Sequence, residues 1–170
     1  FHINPKARFS DGTPITADDI VFTFEMLKQH GVPQYRYYYG DVQKVEATAP
    51  DRVLFTFKSA DNRELPLILG QMPVLSKADW QGKDFSATTL TMPLGSGPYK
   101  LKSFELNRFL VYERDPNYWG KDLPVNRGLY NFDEIRFDVY RDTSVAVEAF
   151  KAGAYDLRQE NEAKRWAVSY

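Results

Sequence analysis

FDEIRFDVYRDTSVAVEAFKAGAYDL, Phe132 to Leu157, is the stretch on which the reading of this chain turns. Ile135, Phe137 and Val139 alternate with Arg136, Asp138 and Tyr140, the period-two pattern of a half-buried strand. Asp142 or Thr143 then opens a helix whose apolar stripe is Val145, Ala146, Ala149 and Phe150, and Gly153 stops it. Tyr155–Leu157 reads as a further short strand. Strand, helix and strand in this order predict a parallel crossover unit, and so a mixed α/β fold.

Working outward, LGSGPYKLKSF, Leu94 to Phe104, admits three readings: a phosphate cradle, a nucleophilic serine, or a turn. A phosphate loop needs glycines entering a helix, so that free N–H groups face the anion. Here Pro98 removes a donor, a strand pattern follows, and no Gly-Lys-Ser/Thr is present. A nucleophilic Ser96 would want a Gly-x-Ser-x-Gly elbow and a base, and the spacing supplies neither. The turn wins: glycines grant backbone freedom and Pro98 launches a strand. PYKLKSFEL and RFLVYER then form one hairpin-like pair, followed by the irregular DPNYWGKDLPVNRG.

Nearer the start, Asp11-Gly12 is a turn signal. TADDIVFTFEMLKQHG carries a capping pattern, Thr16 with Asp19, and spaces Ile20, Phe24 and Leu27 along a helix of about Ala17 to Gln29. After the aromatic loop QYRYYYG, the runs VQKVEAT and DRVLFTFK predict a β-hairpin around Ala49-Pro50. Short helices are expected at 64–70 and from Ser76 to Gln81. Gly82 to Pro93 reads as a loop or a crossing point between lobes.

Composition narrows the function. The 170 residues are 43% hydrophobic and 26% charged, which makes the chain globular. A formal net charge of −1, without a basic stripe, argues against nucleic acid. No apolar run nears the ~18 residues that cross a bilayer, so no direct membrane insertion is expected. Cysteine is absent, which excludes disulfides and thiolate chemistry, and His2 and His30 stand far apart. No metal pattern appears, and Asp18-Asp19 suits the positive end of a helix. The chain opens on Phe1 and reads as part of something longer.

Two polar clusters are left for ligand contact. Tyr35, Tyr37, Tyr38 and Tyr39 offer broad faces with polar tips, or else cover a core beneath a loop. Arg158, Gln159, Glu160 and Asn161 follow a strand end, where open α/β sheets place ligand contacts, or else form a solvated turn.

Four segments in order, RFSDGTPITADDIVFTFE, DVQKVEATAPDRVLFTF, GSGPYKLKSFELNRFLVYERDPNYWG and FDEIRFDVYRDTSVAVEAFKAGAYDL, resemble the solute-binding proteins of family 5. These are extracytoplasmic receptors of oligopeptide, dipeptide and nickel ABC importers. RGLYNFDEIRFDVYRDTSVAVEAFKAG and RQENEAKRW are most similar to the subgroup serving oligopeptides, microcin C-like peptide-nucleotides and muropeptides.

The resemblance implies an incomplete class II periplasmic-binding fold, with residues 1–90 in an accessory lobe and 91–170 in the first ligand-binding lobe. It implies a periplasmic, non-enzymatic receptor for a peptide or peptide conjugate, partnered by membrane permease subunits and needing no cofactor. By position it points to Tyr37, Tyr38 or Tyr39, to Gln71, and to Arg158 through Asn161 as ligand contacts. A hydrolase using Ser96 or a carboxylate pair, and a protein-interaction module docking through the tyrosines, are the alternatives. Nickel or haem transport is a lesser option.

Overall fold

Thr16 and Asp19 start the first helix as their spacing predicts. In the computed structural model, which describes residues 1–87 and 89–170, α1 spans Ala17–His30 and carries a complete capping box. The Thr16 N–H and hydroxyl donate to one Asp19 carboxylate oxygen at 2.8 and 2.7 Å. The other oxygen accepts the Lys77 N–H at 2.9 Å, so one carboxylate, 6% exposed, ties the helix start to a distant segment. Gly31 ends the helix, its N–H donating to the Leu27 carbonyl. A Cβ there would lie 2.4 Å from that same oxygen, which explains the glycine.

QYRYYYG is not a loop. Pro33 occupies the first turn of α2, Pro33–Tyr38, where a missing N–H costs nothing, and a 3-10 turn over Tyr39–Asp41 follows. β1, Val42–Ala49, and β2, Arg52–Phe57, form the expected antiparallel hairpin. Phe1–Ile3 lies along its edge, with Val53 donating to Phe1 and Ile3 donating to Asp51. α3, Leu65–Leu69, and α4, Lys77–Trp80, fill the expected helical positions, and Ser76 caps α4. Asp11-Gly12 makes its turn with Gly12 at φ +87°.

α1, the hairpin and α3 enclose one core: Phe24, Leu27, Tyr39, Val42, Leu65, Leu69 and Met72. Phe24 stacks on Tyr39 at 5.2 Å and meets Phe55 edge-on. Thr23, wholly buried beside this core, donates to the Asp19 carbonyl at 2.6 Å and accepts the Leu75 N–H at 2.8 Å. Thr23→Val keeps the shape and strands that N–H. A loss of about 1–3 kcal/mol is expected, with Thr23→Ser near wild type in urea unfolding.

β3, Tyr99–Glu105, β4, Phe109–Arg114, and β5, Glu134–Asp138, form a three-stranded sheet in that order. Val139 donates to the Arg108 carbonyl and Arg114 donates to that of Asp133, so β5 runs antiparallel to β4. The Gly95–Pro98 turn launches β3 as expected, but not through unusual glycine angles. Neither Gly95 nor Gly97 has positive φ, and a Cβ on either would meet open space.

α5, Thr143–Lys151, is capped by Asp142, which accepts the Ser144 and Val145 N–H groups. Its C-terminus is a Schellman motif: Gly153 at φ +73° donates to Phe150, and Ala154 donates to Ala149. The buried stripe departs from expectation. Ala146 and Val147 are buried, whereas Val145 is 57% exposed, and Phe137 on β5 and Val139 just past it are also exposed, at 54% and 45%. Tyr155–Leu157 forms no strand among the described residues. The Tyr155 hydroxyl instead donates to the Ala146 carbonyl at 2.6 Å, which folds the segment back on α5. The last helix, α6, is Ala163–Ser169.

The chain divides into two compact units, Phe1–Leu101 with Glu113–Glu134, and Lys102–Tyr112 with Ile135–Tyr170. The described part of Gly82–Pro93 holds only turns and irregular backbone, and Thr88 within it lies outside the described residues.

Candidate functional site

Helix geometry separates the four tyrosines. On α2 and the 3-10 turn that follows it, successive residues point about 100–120° apart, so neighbouring tyrosines meet different surroundings. Tyr39 is 1% exposed, packed between Phe24 and Tyr35, and its ring has no surface to offer a ligand. Tyr37, 83% exposed, and Tyr38, 39% exposed, stand edge to face at 5.7 Å and present aromatic area with polar tips. Gln71 is exposed just past α3, its N–H held by the Ile68 carbonyl, next to the core residue Met72. These residues all belong to the first unit.

Arg158 to Asn161 belong to the second unit, and their side chains alternate. Arg158 and Glu160 face inward, 13% and 5% exposed, and bond to each other at 3.2 Å. Arg158 also donates to the Tyr170 hydroxyl at 2.7 Å and the Tyr155 hydroxyl at 3.4 Å. Glu160 accepts the Glu162 N–H, the Tyr170 hydroxyl and Arg165, at 3.0, 3.1 and 3.4 Å. Both charges are spent within the protein. Gln159 and Asn161 are exposed, and the Gln159 amide donates to the Asn161 oxygen at 3.3 Å.

The hydrogen bond that Arg158 donates to the Tyr155 hydroxyl, with further bonds to Tyr170 and Glu160, raises the Arg158 pKa above its ordinary value against the effect of burial. Burial pushes the Glu160 carboxyl up, but the Glu162 N–H, Arg158, Tyr170 and Arg165 outweigh it and hold the pKa below the ordinary 4.5. A depressed carboxylate stabilises the fold above its unfolded pKa and loses that contribution as pH falls through the folded one. The melting temperature should therefore fall more steeply below pH about 4.5 in the wild type than in Glu160→Gln. Equal slopes would show that this network adds nothing.

Tyr155, Arg165 and Tyr170 escaped the sequence reading. The only available hint was the Glu162–Arg165 pair at helical spacing, which does close at 2.9 Å. Also missed was a concavity of about 540 Å³ in the irregular stretch after β4, lined by Tyr118, Asn126, Leu129 and Tyr130 among others. Asn126 organises it, donating to the Gly120 carbonyl and the Tyr118 hydroxyl and accepting from the Tyr130 hydroxyl. Burial, with the Tyr130 phenol nearby, raises the Tyr118 pKa.

Nothing in these clusters resembles an assembled nucleophile. The Ser96 carbonyl accepts the Trp119 indole N–H at 3.0 Å, while His2 bridges to Arg52 and His30 lies against Phe85. Among the described residues, no three His, Cys, Asp or Glu side chains gather as metal ligands, and no helix is long and apolar enough to cross a membrane.

The mixed α/β fold is that of a solute-binding protein. The chain belongs to the bacterial extracellular solute-binding proteins, family 5, whose middle-region model matches residues 1–170. It is 47% identical over 168 residues to the uncharacterized protein YejA of Escherichia coli K12, covering 99% of this chain and 28% of that one. In Agrobacterium fabrum, a probable peptide-binding protein YejA is 40% identical, covering 100% of this chain and 29% of that protein. The peptidoglycan-binding protein YepA of the same organism is also 40% identical, covering 96% and 27%. The solved oligopeptide-binding protein AppA of Bacillus subtilis, in complex with a nonapeptide, superimposes with a TM-score of 0.75 at 22% identity, covering 99% of this chain and 33% of that one. The chain thus spans less than a third of the length of its relatives.

Proposed function

We propose that this chain is part of the periplasmic receptor of an ABC importer that binds oligopeptides or peptide conjugates and delivers them to membrane permease subunits. The family match along all 170 residues carries this reading. Relatives named for peptide and for peptidoglycan, at 40% identity, favour ligands built on a peptide, with or without sugar attached. In this reading residues 1–90 form part of an accessory lobe and 91–170 part of the first ligand-binding lobe. Tyr37, Tyr38 and Gln71 contribute from the former, and the segment Arg158 to Asn161 from the latter, its exposed Gln159 and Asn161 facing the ligand while Arg158 and Glu160 stay paired within the protein. Receptors tolerant of side-chain identity bind the ligand's main chain and leave watery side-chain pockets. Such work needs no nucleophile and no cofactor.

Native mass spectrometry of the full-length receptor, purified after natural export, tests the proposal. A ladder of adducts with short-peptide masses is the expected result, and adducts containing sugar or nucleotide would favour the muropeptide or microcin C branch. Cleavage of bound peptides during long incubation would overturn it in favour of a hydrolase.

A further inference from the structure

We propose that the concavity after β4, none of whose residues the receptor function uses, is a second ligand site that seats an organic ammonium ion carried on an aromatic body. Its volume, about 540 Å³, lies within the usual range of small-molecule sites. Asp115 carries the inference. It lines the concavity yet is only 6% exposed, and one carboxylate oxygen accepts the Asn117 N–H at 2.9 Å. The other oxygen has no hydrogen-bond partner among the described residues. Among those residues no fully buried side-chain oxygen goes unpaired, so this one keeps an opening, and the concavity is the space it borders.

The other carboxylates of the lining are already matched. Glu113 pairs with Lys100 at 3.5 Å, Asp133 pairs with Arg114, and Glu134 is engaged as well. Lys121, exposed in the same lining, donates to the Pro116 carbonyl at 3.0 Å. That leaves Asp115, which forms no ion pair among the described residues. A carboxylate withdrawn from water without a cation of its own favours a ligand that brings one. Tyr118 and Tyr130 wall the same concavity, edge to face at 5.9 Å. Asn126 bonds to both hydroxyls, and that of Tyr118 packs so closely on Gly120 that a Cβ there would lie 2.6 Å from it. Rings fixed in this way attract a cation and its apolar body without the rotamer cost of ordering them on binding.

The test titrates the full-length receptor with phenethylammonium and with its neutral counterpart, phenethyl alcohol, reading affinities from ligand NMR. The amine should bind the wild type about tenfold more tightly than the alcohol, and the margin should shrink as salt is raised. Asp115→Asn keeps an oxygen for the Asn117 N–H. It should weaken the amine about tenfold and leave the alcohol unchanged. Leu129→Arg, at a lining position 54% exposed, should weaken the amine about threefold more than the alcohol by setting a like charge beside it. An amine bound no more tightly than the alcohol would overturn the inference. So would an amine affinity that neither substitution changes, since the amine would then sit elsewhere. Should Asp115→Asn fail to fold, Leu129→Arg and the wild-type comparison still decide. Either result leaves the receptor reading untouched, because peptide adducts test that separately.

Discussion

Tyr39→Ala is expected to destabilise the fold by about 4 kcal/mol, the cost of truncating a large buried aromatic and leaving a cavity. Tyr39 is 1% exposed, stacked on Phe24 and tilted against Tyr35, and it shares its core with α1, α3 and β1. Urea unfolding followed by circular dichroism measures the effect, and a change under about 1 kcal/mol would show that the site collapses around the missing ring.

Tyr39→Phe separates the ring from its hydroxyl. Burial, with a smaller contribution from Tyr35, pushes the Tyr39 phenol up to about 12 from the ordinary 10.0. A raised pKa means that stability is complete below pH 10 and is lost as pH climbs toward the folded value, because only the unfolded chain ionises in that window. The alkaline decline between pH 10 and 12 should therefore be shallower in Tyr39→Phe than in the wild type.

Asp19→Ala should cost about 3 kcal/mol, more than an ordinary helix cap. The carboxylate accepts from the Thr16 N–H and hydroxyl with one oxygen and from the Lys77 N–H with the other. Removing it breaks the capping box and strands a backbone donor 58 residues away. Asp19→Asn keeps one acceptor oxygen and should lose about half as much. Wild-type midpoints for Asp19→Ala, at an unchanged denaturant slope, would mean that water replaces the carboxylate at both ends.

Much of the local structure was legible because its causes are local. Thr16 and Asp19 announce α1 through three residues of sequence, and Gly153 announces the end of α5 through its own backbone freedom. The two hairpins follow from alternation around short polar turns. The α2 helix was missed because tyrosines carry little helix preference, and the advantage of Pro33 in a first turn shows only once a helix exists. Val147 replaced Val145 on the buried face of α5, since both fit a helical stripe and only the packed neighbours choose between them.

The candidate site divides in the same way. By itself the sequence determined the family, the mixed α/β class, the helix caps and turns, and the short list of tyrosines, amides and charges able to meet a ligand. Which members of that list face outward was decided by the tertiary structure alone. Tyr37 and Tyr39 are chemically identical and two residues apart, yet 83% and 1% exposed, because the core built from α1, α3 and β1 accepts one ring and excludes the other. Arg158 and Glu160 read as ligand contacts until Tyr155, Arg165 and Tyr170 are brought around them. Local propensity acts over a few residues and can be read in order along the chain. Burial and charge pairing depend on which distant residues arrive, and that is settled only when the chain has folded.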